Sequence, residues 1–300
     1  MIYDLALTIR YDYAGAATGG RHLVRLTPMD LPGRQRVVAA LVSVEPVPAE
    51  RRDWVDFFGN GVTEFAFDQA HDHVELSLKA RVERLPDAEQ KGSSVILADL
   101  PRHVAALRDL GFASPLHFRA VSSRVPHLAQ IADYARNVLS ALPGDPTCAD
   151  AIAAIGQALH RDIRFDAKAT SVDTPLAEAF AARRGVCQDM SHIMIGALRS
   201  LGIPAGYVSG FLRTLPPPGK PRLEGADAMH AWVRAWCGPE AGWLDFDPTN
   251  NRMAGLDHID VAWGRDYADV APVKGILRVA GGQTSRQAVD VIPLAGDLAG

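Results

Sequence analysis

The chain has 300 residues, 48% of them hydrophobic and 22% charged, with a formal net charge of -4. That length suits two domains or one large one with a real core. The slightly acidic balance argues against nucleic acid or an anionic membrane as partner, because both call for a basic patch.

The start, Met1-Ile2-Tyr3-Asp4-Leu5, has neither the basic leader nor the apolar core of a signal peptide. No stretch approaches the roughly 18 apolar residues of a membrane span. The first 85 residues are β-rich. Residues 3–11 alternate with period two, 22–27 form a short run ended by Pro28, and 35–46 are rich in valine. Gly59-Asn60-Gly61 is a hairpin signal between apolar flanks, and residues 74–82 alternate again. An antiparallel sandwich or barrel of about six strands is expected.

Residues 86–94 are polar and read as a linker. Beyond them the period changes to 3.6, with helices expected over 101–110, 125–142, 148–163 and 175–183. Asp145-Pro146-Thr147 supplies a turn and cap for the third, and Thr174-Pro175 a cap and first-turn proline for the fourth. Gly185-Val186 breaks the pattern, a helix resumes over 187–201, and Gly202-Ile203-Pro204 stops it. Strands are expected over 205–212, 229–237 and 243–247, with a mobile loop, 214–227, as a candidate lid. The expected organisation is an N-terminal β domain (1–85), an α+β core (95–280) and a weakly patterned tail (281–300). No internal repeat is visible.

Cysteine is sparse: Cys148, Cys187 and Cys237, an odd set at wide spacing rather than a disulfide framework. A reducing, cytoplasmic setting is expected, in which a thiol stays free for chemistry. Cys148 and Cys237 lack partner motifs and read as core residues. Cys187 differs. In Arg184-Gly185-Val186-Cys187-Gln188-Asp189 a glycine turn feeds a helix, and the cysteine falls in its first turn. Free backbone N–H groups and the helix dipole favour negative charge there, hence the thiolate. The same N–H groups could face the carbonyl oxygen of a substrate attacked by that sulfur.

A thiolate nucleophile needs a base, and the base an orienting acceptor. His230 lies in Met229-His230-Ala231-Trp232-Val233, and Asp247 follows 17 residues later in Trp243-Leu244-Asp245-Phe246-Asp247-Pro248-Thr249. That separation suits neighbouring antiparallel strands. Asp245 shares the strand face of Asp247 and is its rival. Trp232 and Gln188 are candidate substrate contacts, although Trp232 reads first as a packing aromatic and could also roof the imidazole. His192 reads as a core histidine, and Asp189 as a helix cap or loop anchor. His71-Asp72-His73 has metal-ligand spacing but lacks a third ligand, so no metal and no cofactor are expected.

Five blocks in order resemble the core of the transglutaminase-like superfamily: Gly185-Val186-Cys187-Gln188-Asp189, Leu201-Gly202-Ile203-Pro204-Ala205, Tyr207 to Leu212, His230-Ala231-Trp232-Val233, and Trp243 followed by Asp247-Pro248-Thr249. Tyr11-Asp12-Tyr13, Leu26-Thr27-Pro28, Val44-Glu45-Pro46 and Asp56-Phe57-Phe58-Gly59-Asn60 resemble the β domain that precedes this core in a bacterial group. The resemblance implies a papain-like fold and acyl transfer from a protein, peptide or small amide, with Cys187 as nucleophile, His230 as base and Asp247 as orienter. The acceptor, water or an amine, stays open, as does a homo-oligomer. A non-catalytic binding module is the alternative. Two positions depart from the pattern. Gly206 stands where many relatives carry arginine, and Ala181 where papain-like enzymes carry an oxyanion glutamine, leaving the backbone N–H of Cys187 as donor.

Overall fold

The computed structural model describes residues 1–86, 92–214, 225, 227–279 and 281–294. The N-terminal strands are β1 (Ile2–Val24), β2 (Gln35–Glu45), β3 (Glu50–Val55), β4 (Gly61–Ala66) and β5 (His71–Arg84). The two runs expected at 3–11 and 22–27 are thus one long strand. A register shift at Thr18/Gly20 lets its two halves take different partners. Residues 3–12 lie between β5 and the C-terminal strand β14 (Gln283–Pro293), and residues 21–24 between β4 and β13 (Val273–Arg278). The resulting seven-stranded antiparallel sheet has a core of alternating β1 residues, Tyr3, Leu5, Leu7 and Ile9, facing Val74, Leu76, Leu78 and Val82 of β5.

The expectation of a tail at 281–300 therefore needs correcting. Gln283–Pro293 is a strand of the N-terminal sheet, and β13 returns to that sheet from within the expected core range. The first six residues of β14 are exposed, so no buried face imposes the alternation that betrays a strand in sequence.

The second half contains α1 (Leu100–Ala106), α2 (Ala129–Leu139), α3 (Cys148–Asp162), α4 (Leu176–Ala182), α5 (Cys187–Ser200) and the short α6 (Tyr267–Val270). Strands β6 (Arg164–Phe165) and β7 (Arg184–Gly185) pair in parallel. The main sheet comprises β8 (Ala205–Leu212), β9 (Ala228–Trp236), β10 (Trp243–Asp247), β11 (Arg252–Met253) and β12 (His258–Gly264), in the order β11-β10-β9-β8-β12. The expected α+β architecture, an antiparallel β domain followed by helices packed on an antiparallel sheet, is the one observed. No helix among the described residues is long and apolar enough to cross a membrane.

Helix α5 is central. Met190, Ile193, Met194, Ile195, Ala197 and Leu198 are all buried, as expected for a helix covered by α2, α3 and β9. Helix α3 starts at a reciprocal cap: Asp150 N donates to Thr147 Oγ1 at 3.2 Å, and Thr147 N to Asp150 Oδ2 at 2.9 Å. It crosses β10 so closely that a Cβ on Gly156 would lie 2.0 Å from Phe246 Cε1. Gly156→Ala would gain roughly 1 kcal/mol in helix propensity. Forcing the ring aside costs about 1–3 kcal/mol, with this overlap at the upper end. Net destabilisation on the order of 1–2 kcal/mol is expected in urea unfolding. A variant as stable as wild type would contradict this packing.

Candidate functional site

Cys187 is the first residue of α5 and half-buried. The turn before it is built around Asp189, whose Oδ2 accepts from Val186 N at 2.8 Å and from Thr170 Oγ1 at 2.6 Å. A Cβ on Gly185 would sit 2.6 Å from that oxygen, so only glycine lets the carboxylate fold back over the helix start. Asp189 thus both offsets the helix end and anchors the preceding loop. Cys148 and Cys237 are free thiols too, but wholly buried, and burial pushes each up to about 12.

The base and the carboxylate come from adjacent antiparallel strands, β9 and β10. His230 Nε2 lies 2.8 Å from Asp247 Oδ2. The same ring is near enough to the Cys187 side chain for the two to influence each other's charge. With Nε2 committed to the carboxylate, Nδ1 is left to face the sulfur. Burial alone would lower the imidazole's affinity for its proton, but the bond to Asp247 and the influence of Cys187 outweigh it and push His230 up to about 10.

Asp247 is fully buried and saturated with donors. Oδ1 accepts from Thr249 N at 2.9 Å and Asn250 N at 3.1 Å; Oδ2 accepts from Asn250 Nδ2 at 2.7 Å besides His230. Burial pushes the carboxyl upward, yet these donors hold it well below the usual carboxylate range. The rival, Asp245, takes no part: it bonds Arg34 and Trp232 Nε1.

A further histidine joins the group. His258 Nε2 lies 3.1 Å from Asp247 Oδ2, while its Nδ1 accepts from Gly255 N at 3.2 Å. The acceptor role of Nδ1 places the proton on Nε2, so this ring is a neutral donor to the carboxylate. Burial lowers its affinity for a second proton, against the pull of Asp247. His230, Asp247 and His258 are grouped as metal ligands would be, with ligand atoms within 4.8 Å. Their nitrogen–oxygen separations, 2.8 and 3.1 Å, are those of hydrogen bonds. Sequence reasoning missed His258, although His258, Asp260 and Ala262 alternate with Ile259, Val261 and Trp263 as a strand should.

The two expected substrate contacts lie elsewhere. Trp232 is completely buried, its ring 6.2 Å from His230 and 5.1 Å from His258 between centroids. It packs beneath the imidazoles and cannot reach a substrate. Gln188 is also buried and donates from Nε2 to Val172 O at 3.1 Å, holding the loop before α4. Both side chains point inward because the chain needs them there. His192 is a core residue as expected: Tyr267 N donates to its Nε2 at 3.1 Å, and burial lowers it to about 4.

Gly206 has a packing reason. A Cβ there would lie 2.7 Å from the Phe118 ring and 2.8 Å from Gly264 O, so no arginine fits on this backbone. Ala181 lies in α4 and offers no side-chain donor. Of the expected lid, residues 215–224 and 226 lie outside the described residues. The loop's two ends meet at Asp227, whose Oδ1 accepts from Thr214 N at 2.7 Å and whose Oδ2 accepts from Val291 N at 2.7 Å.

This fold and constellation define a transglutaminase-like core behind a β domain, and comparison with known proteins agrees. Residues 133–248 match the transglutaminase-like superfamily, and residues 3–83 the bacterial transglutaminase-like N-terminal region. The chain belongs to the transglutaminase-like superfamily. An uncharacterized protein of Mycobacterium tuberculosis (strain ATCC 25618 / H37Rv) is 32% identical over 310 residues, covering 98% of this chain and 94% of that one. A protein-glutamine gamma-glutamyltransferase of Pseudomonas aeruginosa is 42% identical over 71 residues, 23% of this chain and 10% of that protein. Among solved structures, a protein from Cytophaga hutchinsonii described as a "putative cysteine protease" superposes with a TM-score of 0.76 at 20% identity. The match covers 100% of this chain and 92% of that one; at that identity it speaks for the fold alone.

Proposed function

We propose that the protein transfers acyl groups from amides or peptides through a thioester on Cys187. The observation that carries this reading is His230 bonded to the buried Asp247 carboxylate, with Cys187 at the start of α5 near enough to act on the same ring. In the first step the Cys187 sulfur attacks the carbonyl carbon. The proton on His230 passes to the leaving nitrogen, the C–N bond breaks, and ammonia or an amine departs. In the second step water or another amine attacks the thioester, His230 takes its proton, and the thiolate leaves. Asp247 accepts from Nε2–H throughout, so Nδ1 is the nitrogen that exchanges protons with sulfur and substrate. Backbone N–H groups at the start of α5 face the developing oxyanion.

Hydrolysis and transamidation share this machinery and differ in the acceptor. The relative named as a glutamine gamma-glutamyltransferase supports a glutamine-like carboxamide as donor. Products distinguish the two: an acid, or an adduct that requires added amine.

The test needs no substrate. A free thiol of pKa about 8.5 is only about 0.3% ionised at pH 6. Iodoacetamide labelling of the native protein reads Cys187 alone, since the other two thiols are buried. Wild type should label readily at pH 6, and His230→Ala on the order of tenfold or more slowly. Equal, free-thiol-like profiles in both proteins would sink the reading and leave a binding module that keeps the fold.

Turnover adds a pH signature. With His230 pushed up to about 10, above its unfolded value of about 6.5, the folded state favours the imidazolium. Its contribution to stability is complete below about pH 6.5 and lost as pH rises through the folded value. Amide turnover should decline over that same alkaline limb, because the leaving nitrogen needs the proton. Labelling, which needs only the thiolate, should not decline.

A further inference from the structure

Strands β10 and β12 lie on opposite flanks of the catalytic sheet, with β9 and β8 between them. Yet Asp247 on β10 meets His258 on β12, so the sheet curls until side chains from its two flanks touch. Two residues from each of these, on the same strand faces, stand Asp245 and Asp260. Both are buried, and one side chain from the N-terminal domain joins them. Arg34 Nη2 bonds Asp245 Oδ2, and Arg34 Nε donates to Asp260 Oδ2 at 3.2 Å.

Other N-terminal side chains hold the same strands. Gln35 Nε2 donates to Asp260 O at 2.8 Å, and Gln35 Oε1 accepts from Asp260 N at 2.9 Å. Arg84, fully buried, donates from Nε to the carbonyl of His258 at 2.9 Å and from Nη1 to Arg34 O at 2.8 Å. Asp245 Oδ2 passes the contact on to Trp232 Nε1 at 3.4 Å, and the Trp232 ring underlies both imidazoles.

We propose that the N-terminal β domain is a positioning part of the active site, with Arg34 clamping the two flanks of the catalytic sheet so that Asp247 and His258 converge behind His230. The proposal rests on the reading of Cys187, His230 and Asp247 given above. Arg34 touches neither substrate nor the reacting atoms; it acts through Asp245, Asp260 and Trp232.

The charges explain why an arginine is used. Asp245 and Asp260 carry two buried carboxyls. Arg234, stacked 3.5 Å over Trp263 and 4.5 Å over Trp243, and the fully buried Arg84 are further cations beside them. Burial raises both carboxyls. The arginines nonetheless bring Asp245 below the usual range, while Asp260 stays above it. Three guanidinium groups, Arg34, Arg84 and Arg234, thus surround the two carboxyls, and Arg34 is the one hydrogen-bonded to both. A planar guanidinium can reach both carboxylates at once, which an ammonium on a flexible stem does poorly.

The experiment compares wild type with Arg34→Met, Arg34→Lys and the charge-balanced double variant Arg34→Met/Asp260→Asn, which keeps the test open if the single methionine variant fails to fold. Histidine-selective NMR follows the titration of His230, kinetics separates kcat from KM, and melting reads the fold. The expected result is a drop of one pH unit or more in the His230 midpoint for folded Arg34→Met. A kcat loss of ten- to a hundredfold should accompany it, with KM within about threefold of wild type. Arg34→Lys should recover part of both, and the double variant should recover the melting temperature without the titration or kcat. Wild-type titration and kcat in a folded Arg34 variant would overturn the proposal, as would full recovery of kcat in the double variant. If no amide is turned over even by wild type, the acyl-transfer reading fails, and the titration alone still decides the clamp.

Discussion

Cys187→Ala is expected to abolish amide turnover, by at least about 10⁴-fold, while leaving the fold within about 0.5 kcal/mol of wild type. The loss is large because no other thiol of the chain is placed to carry the acyl group. Cys148 and Cys237 are buried, and burial holds both as thiols. The fold survives because the side chain is small, half-buried and at the first position of a helix, where alanine is well tolerated. Release of ammonia or amine is the readout for the first half, and urea unfolding for the second. Turnover by the alanine variant at more than about 1% of wild type would move the nucleophile elsewhere.

Asp247→Ala should behave in the opposite sense, damaging both properties. Five donors converge on this buried carboxylate, from His230, His258, Asn250 Nδ2 and the amides of Thr249 and Asn250. Truncation strands them, at a cost of roughly 3–5 kcal/mol. That is a large share of the 5–15 kcal/mol typical of a folded domain. Turnover should fall by about 10³–10⁴-fold, since nothing then selects the His230 tautomer. Asp247→Asn separates the two effects. Its amide oxygen can still accept from the backbone amides, but an NH₂ placed where Oδ2 was would face three donors. A smaller stability loss with a similar catalytic loss is expected. The acid limb differs too. In wild type the contribution of Asp247 to stability is complete above pH 4 or so and is lost only as pH falls through its depressed folded value. The asparagine variant should lack that dependence. Equal stability of Asp247→Ala and wild type would mean that the network is not assembled.

The parts of the site legible in sequence are those specified by local pattern. A glycine turn before an apolar helix marks Cys187, and two alternating runs one loop apart mark His230 and Asp247. Asp247 differs from Asp245 by its Pro248-Thr249-Asn250 context, and the structure gives that context a physical meaning: the amides after the proline turn back onto Oδ1. What escaped the sequence depends on the sheet's curl. Nothing in the spacing of His258 from Asp247 says that strands on opposite flanks will meet, and nothing near Arg34 says that its partners lie more than 200 residues away. Trp232 takes the packing role open to it in sequence and Gln188 faces a neighbouring loop, because proximity to the site in sequence does not fix which way a side chain points. In β1, the run from Ala14 to Gly20 is rich in glycine and alanine and hides the continuity of a strand that spans Ile2–Val24.

Pairing of β14 with β1 gives the order of synthesis a role in assembly. Residues 3–13 are made long before residues 283–293, the strand that covers one of their two edges. A chain still on the ribosome therefore carries an open strand edge of eleven residues, the kind of surface that templates aggregation. The same late strand holds Asp227, at the foot of the strand that carries His230. Translation that stopped short of residue 283 would leave the nucleophile and base already made but the frame around them unclosed.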